Sequence, residues 1–188
     1  MRQVGFLMDL SRCLGCRACE VACKNYFGLG ETQRYRRVSE VEWQAEDRIG
    51  LFYLSLACNH CESPECFRVC PKRTYRKRRD GIVVHDAGLC DGCCTCVKAC
   101  LYGAPQYDAD TGKVDKCDLC VSRLDAGLRP VCEEACTNGA LKVIFLNQID
   151  ETGLLKSVPT LPDVKMTRPS VRFNSPVVRK QWLSQKKL

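Results

Sequence analysis

The sequence predicts an α+β fold in which short helices and β-hairpins surround an interior that ordinary side chains do not fill. Three observations carry this. Four brief stretches read as short helices: "RACEVACKNYF", "PECFRVC", "TCVKAC" and "PVCEEAC". Two segments between them read as hairpins with turn residues at their tips. The 188-residue chain also holds only 2 Trp, 6 Tyr and 6 Phe, while 17 cysteines make up much of its 45% hydrophobic fraction. A chain of this length makes one or two small domains. Cysteine at this density signals disulfides or metal in place of an apolar core.

Taken in order, "MRQVGFLMDL" leads straight into the first cysteines, with no long apolar stretch and no twin-arginine pattern. The longest useful apolar run, "LFYLSLAC" from Leu51 to Cys58, reads as a buried strand. No run approaches the ~18 residues of a membrane span. "YRKRRDGIVVHD" reads as a hairpin turning at Asp80-Gly81, and "PQYDADTGKVDKCD" as one turning near Asp110-Thr111-Gly112. From about Asn147 the chain has no cysteine, carries Pro159, Pro162, Pro169 and Pro176, and ends "KQWLSQKKL". That composition is too irregular to fold alone. It is expected to form an arm that wraps a partner, with a frayed terminus as the alternative.

The cysteines fall into four groups: Cys13, Cys16, Cys19, Cys23; Cys58, Cys61, Cys66, Cys70; Cys90, Cys93, Cys96, Cys100; and Cys117, Cys120, Cys132, Cys136. Each ends in C-x-x-x-C. Groups one and three follow C-x2-C-x2-C-x3-C, group two lengthens the middle gap by two residues, and group four opens it to eleven. Three thiolates on a tight loop can cover three corners of one iron–sulfur cube. The fourth, one helical turn on, points away and serves the other cube of a pair, as in bacterial ferredoxins. Motifs then come in twos, and four motifs mean four [4Fe–4S] clusters. Disulfides fit poorly: the total is odd, and the thiols are clustered rather than spread to staple distant loops. Structural zinc fits poorly too, because it takes paired C-x-x-C or C-x-x-H units and the only imidazoles are His60 and His85. Helix, hairpin and cluster loop are the parts of a bacterial dicluster ferredoxin.

The stretches "GFLMDLSRCLGCRACEVACKNY", "FYLSLACNHCESPECFRVCP", "YGAPQYD" and "KCDLCVSRLDAGLRPVCEEAC" resemble the electron-transfer subunit of the dimethyl sulfoxide reductase family of molybdopterin oxidoreductases. The likeness runs from about Val4 to about Val143, and weakly into "LPDVKMTRPSVRF". It implies two ferredoxin-like halves. One carries motifs one and four on residues 1–57 and 101–146. The other carries motifs two and three on 58–100, and an extended tail, 147–188, contacts a partner. It also implies the ligand sets: Cys13, Cys16, Cys19 and Cys136; Cys23, Cys117, Cys120 and Cys132; Cys58, Cys61, Cys66 and Cys100; Cys70, Cys90, Cys93 and Cys96. The implied function is a linear wire of anaerobic respiration that has no catalytic residues of its own. It passes single electrons between a molybdopterin (Mo or W) catalytic subunit at its one–four end and a quinone-linked membrane anchor at its two–three end. Membrane association would come through those partners, on the extracytoplasmic face by co-export with a signal-bearing catalytic subunit, or on the cytoplasmic face. The alternative is a free polyferredoxin-type soluble carrier.

This chain departs from the usual pattern in three places of four, where Lys24, Leu101 and Thr137 replace the Pro that follows the last cysteine; only Pro71 keeps it. That Pro rigidifies a turn and binds no iron, so loops should shift while clusters stay. In some relatives the second position of motif three is not Cys and a three-iron cluster results; Cys93 predicts four irons here. Cys94 stands outside every set and reads as a bystander, the alternative being a substitute for Cys93.

A formal charge of +7 invites nucleic-acid binding, but four clusters each held by four thiolates would add roughly −2 apiece. The total then falls to about −1, and no nucleic-acid partner is expected. Lys72, Arg73, Arg76, Lys77, Arg78 and Arg79 in "PKRTYRKRRDG" read either as a solvated hairpin beside anionic clusters or as a docking patch for an acidic partner. His60, between Cys58 and Cys61, is either a plain loop position or a donor to sulfur that would raise the potential of that cluster. Asp9 pairs with nothing in the sequence. No Ser/His/Asp set, phosphate loop or carboxylate pair stands out, so no substrate chemistry is expected.

Overall fold

The computed structural model describes residues 3–45, 48–162 and 165–175. Strand β1 (Val4–Asp9) leads into the first cysteine loop and helix α1 (Ala18–Phe27). Strands β2 (Arg37–Ala45) and β3 (Arg48–Leu56) form a long antiparallel ribbon. The second cysteine loop enters α2 (Glu65–Arg68), followed by the hairpin β4 (Tyr75–Lys77) and β5 (Val83–His85). The third enters α3 (Thr95–Ala99), then the hairpin β6 (Gln106–Asp108) and β7 (Lys113–Asp115). The fourth leads through α4 (Val121–Asp125) and α5 (Val131–Glu134) to strands β8 (Leu141–Phe145) and β9 (Val171–Asn174). The architecture is α+β, with short helices and small hairpin sheets. Both expected hairpins form, with Gly81 and Gly112 at positive φ in their turns.

The three-stranded sheet was not anticipated. Its order is β8-β1-β9. In β1, Val4, Phe6 and Met8 alternate into the core, as the two-residue period of a strand requires. Strand β8 pairs antiparallel, with Val4 opposite Phe145 and Met8 opposite Leu141. Strand β9 pairs parallel, with Phe6 opposite Val171 and Met8 opposite Phe173. The sheet thus ties both ends of the described chain together. Asp9 closes it. Its carboxylate accepts from the Ser11 N–H (3.0 Å), the Ser11 hydroxyl (2.6 Å) and the Asn174 amide (3.2 Å). Burial pushes that carboxyl up, but these bonds and one from the Arg12 backbone outweigh it and hold the pKa below its ordinary value.

Helix α1 packs on α5, and α2 packs on α3. Motif one therefore meets motif four, and motif two meets motif three. Most buried residues form one cluster around β1, β3 and β8; a smaller one gathers Tyr75, Val83 and Val114 with Cys66 and Cys96. Val114 lies in β7, beyond residue 100, so packing does not break at the 100/101 boundary expected from the sequence. The β6–β7 hairpin also grips the other side, because the Gln106 amide exchanges two 2.7 Å bonds with the Arg34 backbone.

Two expectations change. "LFYLSLAC" is a strand, but it sits in a two-stranded ribbon: Phe52 and Leu54 are buried while Leu51 is 45% exposed. Part of the stretch after Asn147, expected as an arm wrapping a partner, pairs within the fold itself among the described residues. Strand β9 completes the sheet with Phe173 fully buried, and the Leu155 and Phe173 backbones bond each other at 2.8 and 2.9 Å. Proline-rich connections carry no periodicity, so the strand was invisible without its partner. Pro176 and "KQWLSQKKL" lie outside the described residues. Phe173→Ala should destabilise the protein by about 3–5 kcal/mol, as for other buried Phe truncations. Chemical denaturation followed by loss of cluster absorbance measures this.

Candidate metal centre

One local geometry is repeated four times. In each loop the residue two after the first cysteine has a left-handed backbone: Gly15 (φ 69°), His60 (φ 40°), Gly92 (φ 72°) and Leu119 (φ 64°). This turn swings the backbone N–H back onto the preceding sulfur. His60 donates to Cys58 Sγ at 3.5 Å, Gly92 to Cys90 Sγ at 3.4 Å and Leu119 to Cys117 Sγ at 3.4 Å; the Gly15 N–H does the same for Cys13. Glycine takes this φ without cost, and at Gly92 a Cβ would also overlap the Gly112 carbonyl oxygen. These donors favour a charged sulfur over a neutral one.

The loops and the helix ends behind them enclose cavities. Cys13, Cys16, Cys19 and Cys136 line one of about 410 Å³, counting its open mouth. Cys58, Cys61, Cys66 and Cys100 line a second of about 410 Å³. Cys70, Cys90, Cys93 and Cys96, with Cys94, line a third of about 270 Å³. Cys23, Cys117, Cys120 and Cys132 are all buried together. Burial pushes the Cys23 thiol up to about 12, with Cys132 and Cys120 adding to it, and the Cys120 thiol up to about 11, with Cys132 adding to it. Each cavity set thus combines three loop sulfurs with one from another motif. The helices make the exchange. In α1, Cys19 and Cys23 share a face but are a turn apart, about 6 Å along the axis, so each reaches a different set.

The four sets stand in sequence. Cys19 of the first feels Cys132 of the second. His60, in the loop between Cys58 and Cys61 of the third, brings its Nε2 to 4.0 Å from Cys117 Sγ of the second. Tyr75 lies against Cys96 and Cys70 of the fourth and Cys66 of the third.

Two buried cations sit between sets. Arg36 is 1% exposed. Its Nη1 donates to the Ser55 carbonyl (3.3 Å) and hydroxyl (3.1 Å), and its guanidinium lies 4.4 Å from the Phe6 ring centre. Its Nε and Nη2 find no hydrogen-bond partner among the described residues. Burial alone would lower its pKa, but the sulfurs of Cys132, Cys19, Cys117 and Cys23 outweigh this and keep it raised. Lys116 is also buried. Its Nζ donates to the Val83 carbonyl and, at 3.0 Å, to the Cys117 carbonyl, and the sulfurs of Cys58, Cys66 and Cys117 overcome its burial. A buried cation without an anion is costly. Thiolates bound to iron supply the anions, whereas disulfides would leave both cations unpaired; all seventeen cysteines are free. No three His, Cys, Asp or Glu side chains among the described residues are grouped as for a single metal ion. The donor set fits cubane clusters.

Residues 49–145 match the 4Fe-4S dicluster domain family. The protein is 42% identical over 178 residues to a probable anaerobic dimethyl sulfoxide reductase chain, YnfG, of Escherichia coli (strain K12), spanning 90% of this sequence and 87% of that one. The chain belongs to the iron–sulfur subunits of the dimethyl sulfoxide reductase family. It is also 41% identical over 181 residues to the B subunit of the anaerobic dimethyl sulfoxide reductase of the same organism, at 90% and 87% coverage. A thiosulfate reductase electron transfer subunit, PhsB, of Salmonella typhi is 36% identical over 162 residues, at 83% and 81%. This family member therefore carries [4Fe–4S] clusters and is an iron–sulfur electron-transfer subunit. Among the described residues no helix is long and apolar enough to cross a membrane.

Sequence reasoning missed the buried charges and hydroxyls around the sulfurs. Ser55 Oγ lies 3.3 Å from Cys19 Sγ and Thr74 Oγ1 3.2 Å from Cys70 Sγ. At Cys70 burial pushes the thiol up, but the Thr74 hydroxyl and three backbone N–H groups more than reverse this and lower its pKa. Glu20, buried on α1, accepts from the Val38 N–H at 3.0 Å and fixes the helix to the ribbon. No periodicity marks these residues, because they act across the fold. His60 also differs from expectation. Its backbone serves the sulfur of its own loop, while its ring turns to Cys117 of another, 4.0 Å from Nε2.

Cys94 starts α3 from a left-handed position, as Arg17 starts α1. It is thus the counterpart of Arg17, and its Sγ donates to the Gly92 carbonyl at 3.2 Å. Cys94→Ala should leave iron content at the parent level, whereas Cys93→Ala should lower it; anaerobic iron assay of both variants checks this. Arg36→Met should lower iron retention on dilution into mild denaturant, because it removes the counter-charge of two sulfur sets.

Proposed function

We propose that the chain passes single electrons along four [4Fe–4S] clusters, between a molybdopterin catalytic subunit holding molybdenum or tungsten and a quinone-linked membrane anchor. The clusters supply one-electron chemistry when bound. The ligand sets are those named from the resemblance, running from Cys13, Cys16, Cys19 and Cys136 at one end to Cys70, Cys90, Cys93 and Cys96 at the other. The observation that carries the reading is the serial adjacency of the four sulfur sets, with a buried cation at each of the first two joints. The protein's residues hold position, exclude water and offset charge. The first set opens beside Leu14, 61% exposed, and Leu89, 64% exposed, immediately precedes Cys90 of the last. Apolar contacts at both ends suit a chain held between two partners.

Elemental analysis of the anaerobically purified native complex tests this. About 16 irons per chain, from four four-iron cores, with molybdenum or tungsten and a large copurifying chain, is the expected result. The same iron without heavy metal or partner would favour the free carrier, and zinc in place of iron would overturn both.

We also propose that the basic hairpin docks an acidic partner surface. Arg78 cannot serve, because it is committed within the fold: its guanidinium holds Asp125 at 2.6 and 2.8 Å and Asp80 at 2.9 Å. Lys77 likewise donates to the Cys61 and Glu62 carbonyls at 3.1 and 2.8 Å. Arg76 and Arg79 are exposed and open to a partner. Reversing both to Glu should weaken complex assembly and flatten its salt dependence. Unchanged assembly would remove the docking role.

A further inference from the structure

We propose that the imidazole of His60 sets the reduction potential of the neighbouring centre held by Cys117, making it the tuning residue at the joint between the second and third sulfur sets. The proposal rests on the four-cluster reading above and adds a function to one side chain within it.

The ring is held in one orientation with one tautomer. His60 is 1% exposed. Its Nδ1 accepts the Val83 N–H at 3.1 Å. A ring nitrogen that accepts carries no proton, so the proton of the imidazole is on Nε2. That nitrogen faces Cys117 Sγ at 4.0 Å, the outer limit of an N–H···S contact. With Nδ1 accepting, the ring's N–H is the one that faces a sulfur of the next set.

The surroundings preserve this aim. Val83 uses its N–H on His60 and its carbonyl on Lys116, so one strand residue fixes both buried groups at the joint. The His60 carbonyl accepts from the Ser170 hydroxyl at 2.9 Å and from the Gln3 amide at 3.3 Å. The loop is therefore anchored from the sheet independently of the ring. Its backbone is left-handed at φ 40°, and two of the four equivalent positions are glycine. A bulky side chain at such a position marks a place where the rest of the structure over-determines the conformation. Here the result is one residue that serves two sets: backbone N–H to Cys58, ring N–H toward Cys117.

Hydrogen bonds to sulfur stabilise the more negative, reduced form of a cluster and raise its potential. Losing the ring donor should therefore lower the potential of one centre only. His60→Asn is the main variant. Asparagine tolerates the left-handed backbone and its side-chain oxygen can still accept the Val83 N–H, but it is too short to reach Cys117. His60→Gln restores a donor of full length. Ser170→Ala disturbs the loop's anchor without touching the ring. The potentials are read by redox titration of the intact complex with electron paramagnetic resonance. Cys117→Ser and Cys58→Ser mark which signal belongs to which set.

The expected result for His60→Asn is full iron content and about a tenfold fall in the reduction equilibrium of the Cys117-marked centre. That is about 59 mV for one electron. His60→Gln should stay near the parent, and Ser170→Ala should leave the potential unmoved. An unshifted centre in His60→Asn, a shift confined to the Cys58-marked centre, or an equal shift in Ser170→Ala would each overturn the proposal. If His60→Asn loses iron, His60→Leu takes its place, since Leu119 occupies the same backbone position in the fourth loop. A parent complex without four one-electron centres would instead overturn the proposed function, which separates the two failures.

Discussion

The structure depends on one constraint: three sulfurs on a tight loop cannot close a set without a fourth from elsewhere. In the proposed ligand sets Cys136 completes the first loop, Cys23 the fourth, Cys100 the second and Cys70 the third. Each completion ties two distant motifs together. The pairings of α1 with α5 and α2 with α3 follow from it, because a helix that ends a loop of one motif must pack on the helix that ends its partner. The chain is short of aromatic and aliphatic core, and these crossed sets take the place of that core. Folding and cluster insertion are then coupled, since the ligands come together only in the folded chain.

Gathering so much sulfur inside raises an electrostatic problem, and the chain meets it locally. Backbone N–H groups in the left-handed turns, the Ser55 and Thr74 hydroxyls, and the buried cations Arg36 and Lys116 all aim positive potential at the sulfurs. The +7 formal charge is the excess of 29 Lys and Arg over 22 Asp and Glu. The basic composition thus matches the thiolate-rich interior it surrounds. The two buried cations lie at joints between sets, where the charges of two centres add. The same groups that make the interior tolerable also bias how readily each centre accepts an electron.

The sheet β8-β1-β9 gives this assembly its rigidity. It brings the segment before the first motif, the one after the fourth and the one near residue 170 into register. From there Ser170 and Gln3 reach the second cysteine loop: the Ser170 N–H donates to the Asn59 carbonyl at 2.8 Å and the Gln3 amide to the His60 carbonyl at 3.3 Å. A late segment of the chain thereby steadies a loop that closes the third sulfur set.

The sequence by itself determined the chemistry. Cysteine spacing reports local loop geometry, and a three-plus-one pattern repeated four times admits few metals and few uses. The hairpins were equally legible, because Asp80-Gly81 and Asp110-Thr111-Gly112 are local turn signals. The tertiary structure decided what spacing cannot encode. It placed β9 beside β1 across more than 160 residues, sent Arg78 to Asp125 instead of outward, and turned the His60 ring from its own loop to Cys117. The physical reason is range. Loop and turn conformations are fixed by neighbours within a few residues, whereas strand pairing, burial of charge and the direction of a side chain are settled only when distant parts of the chain compete for the same space.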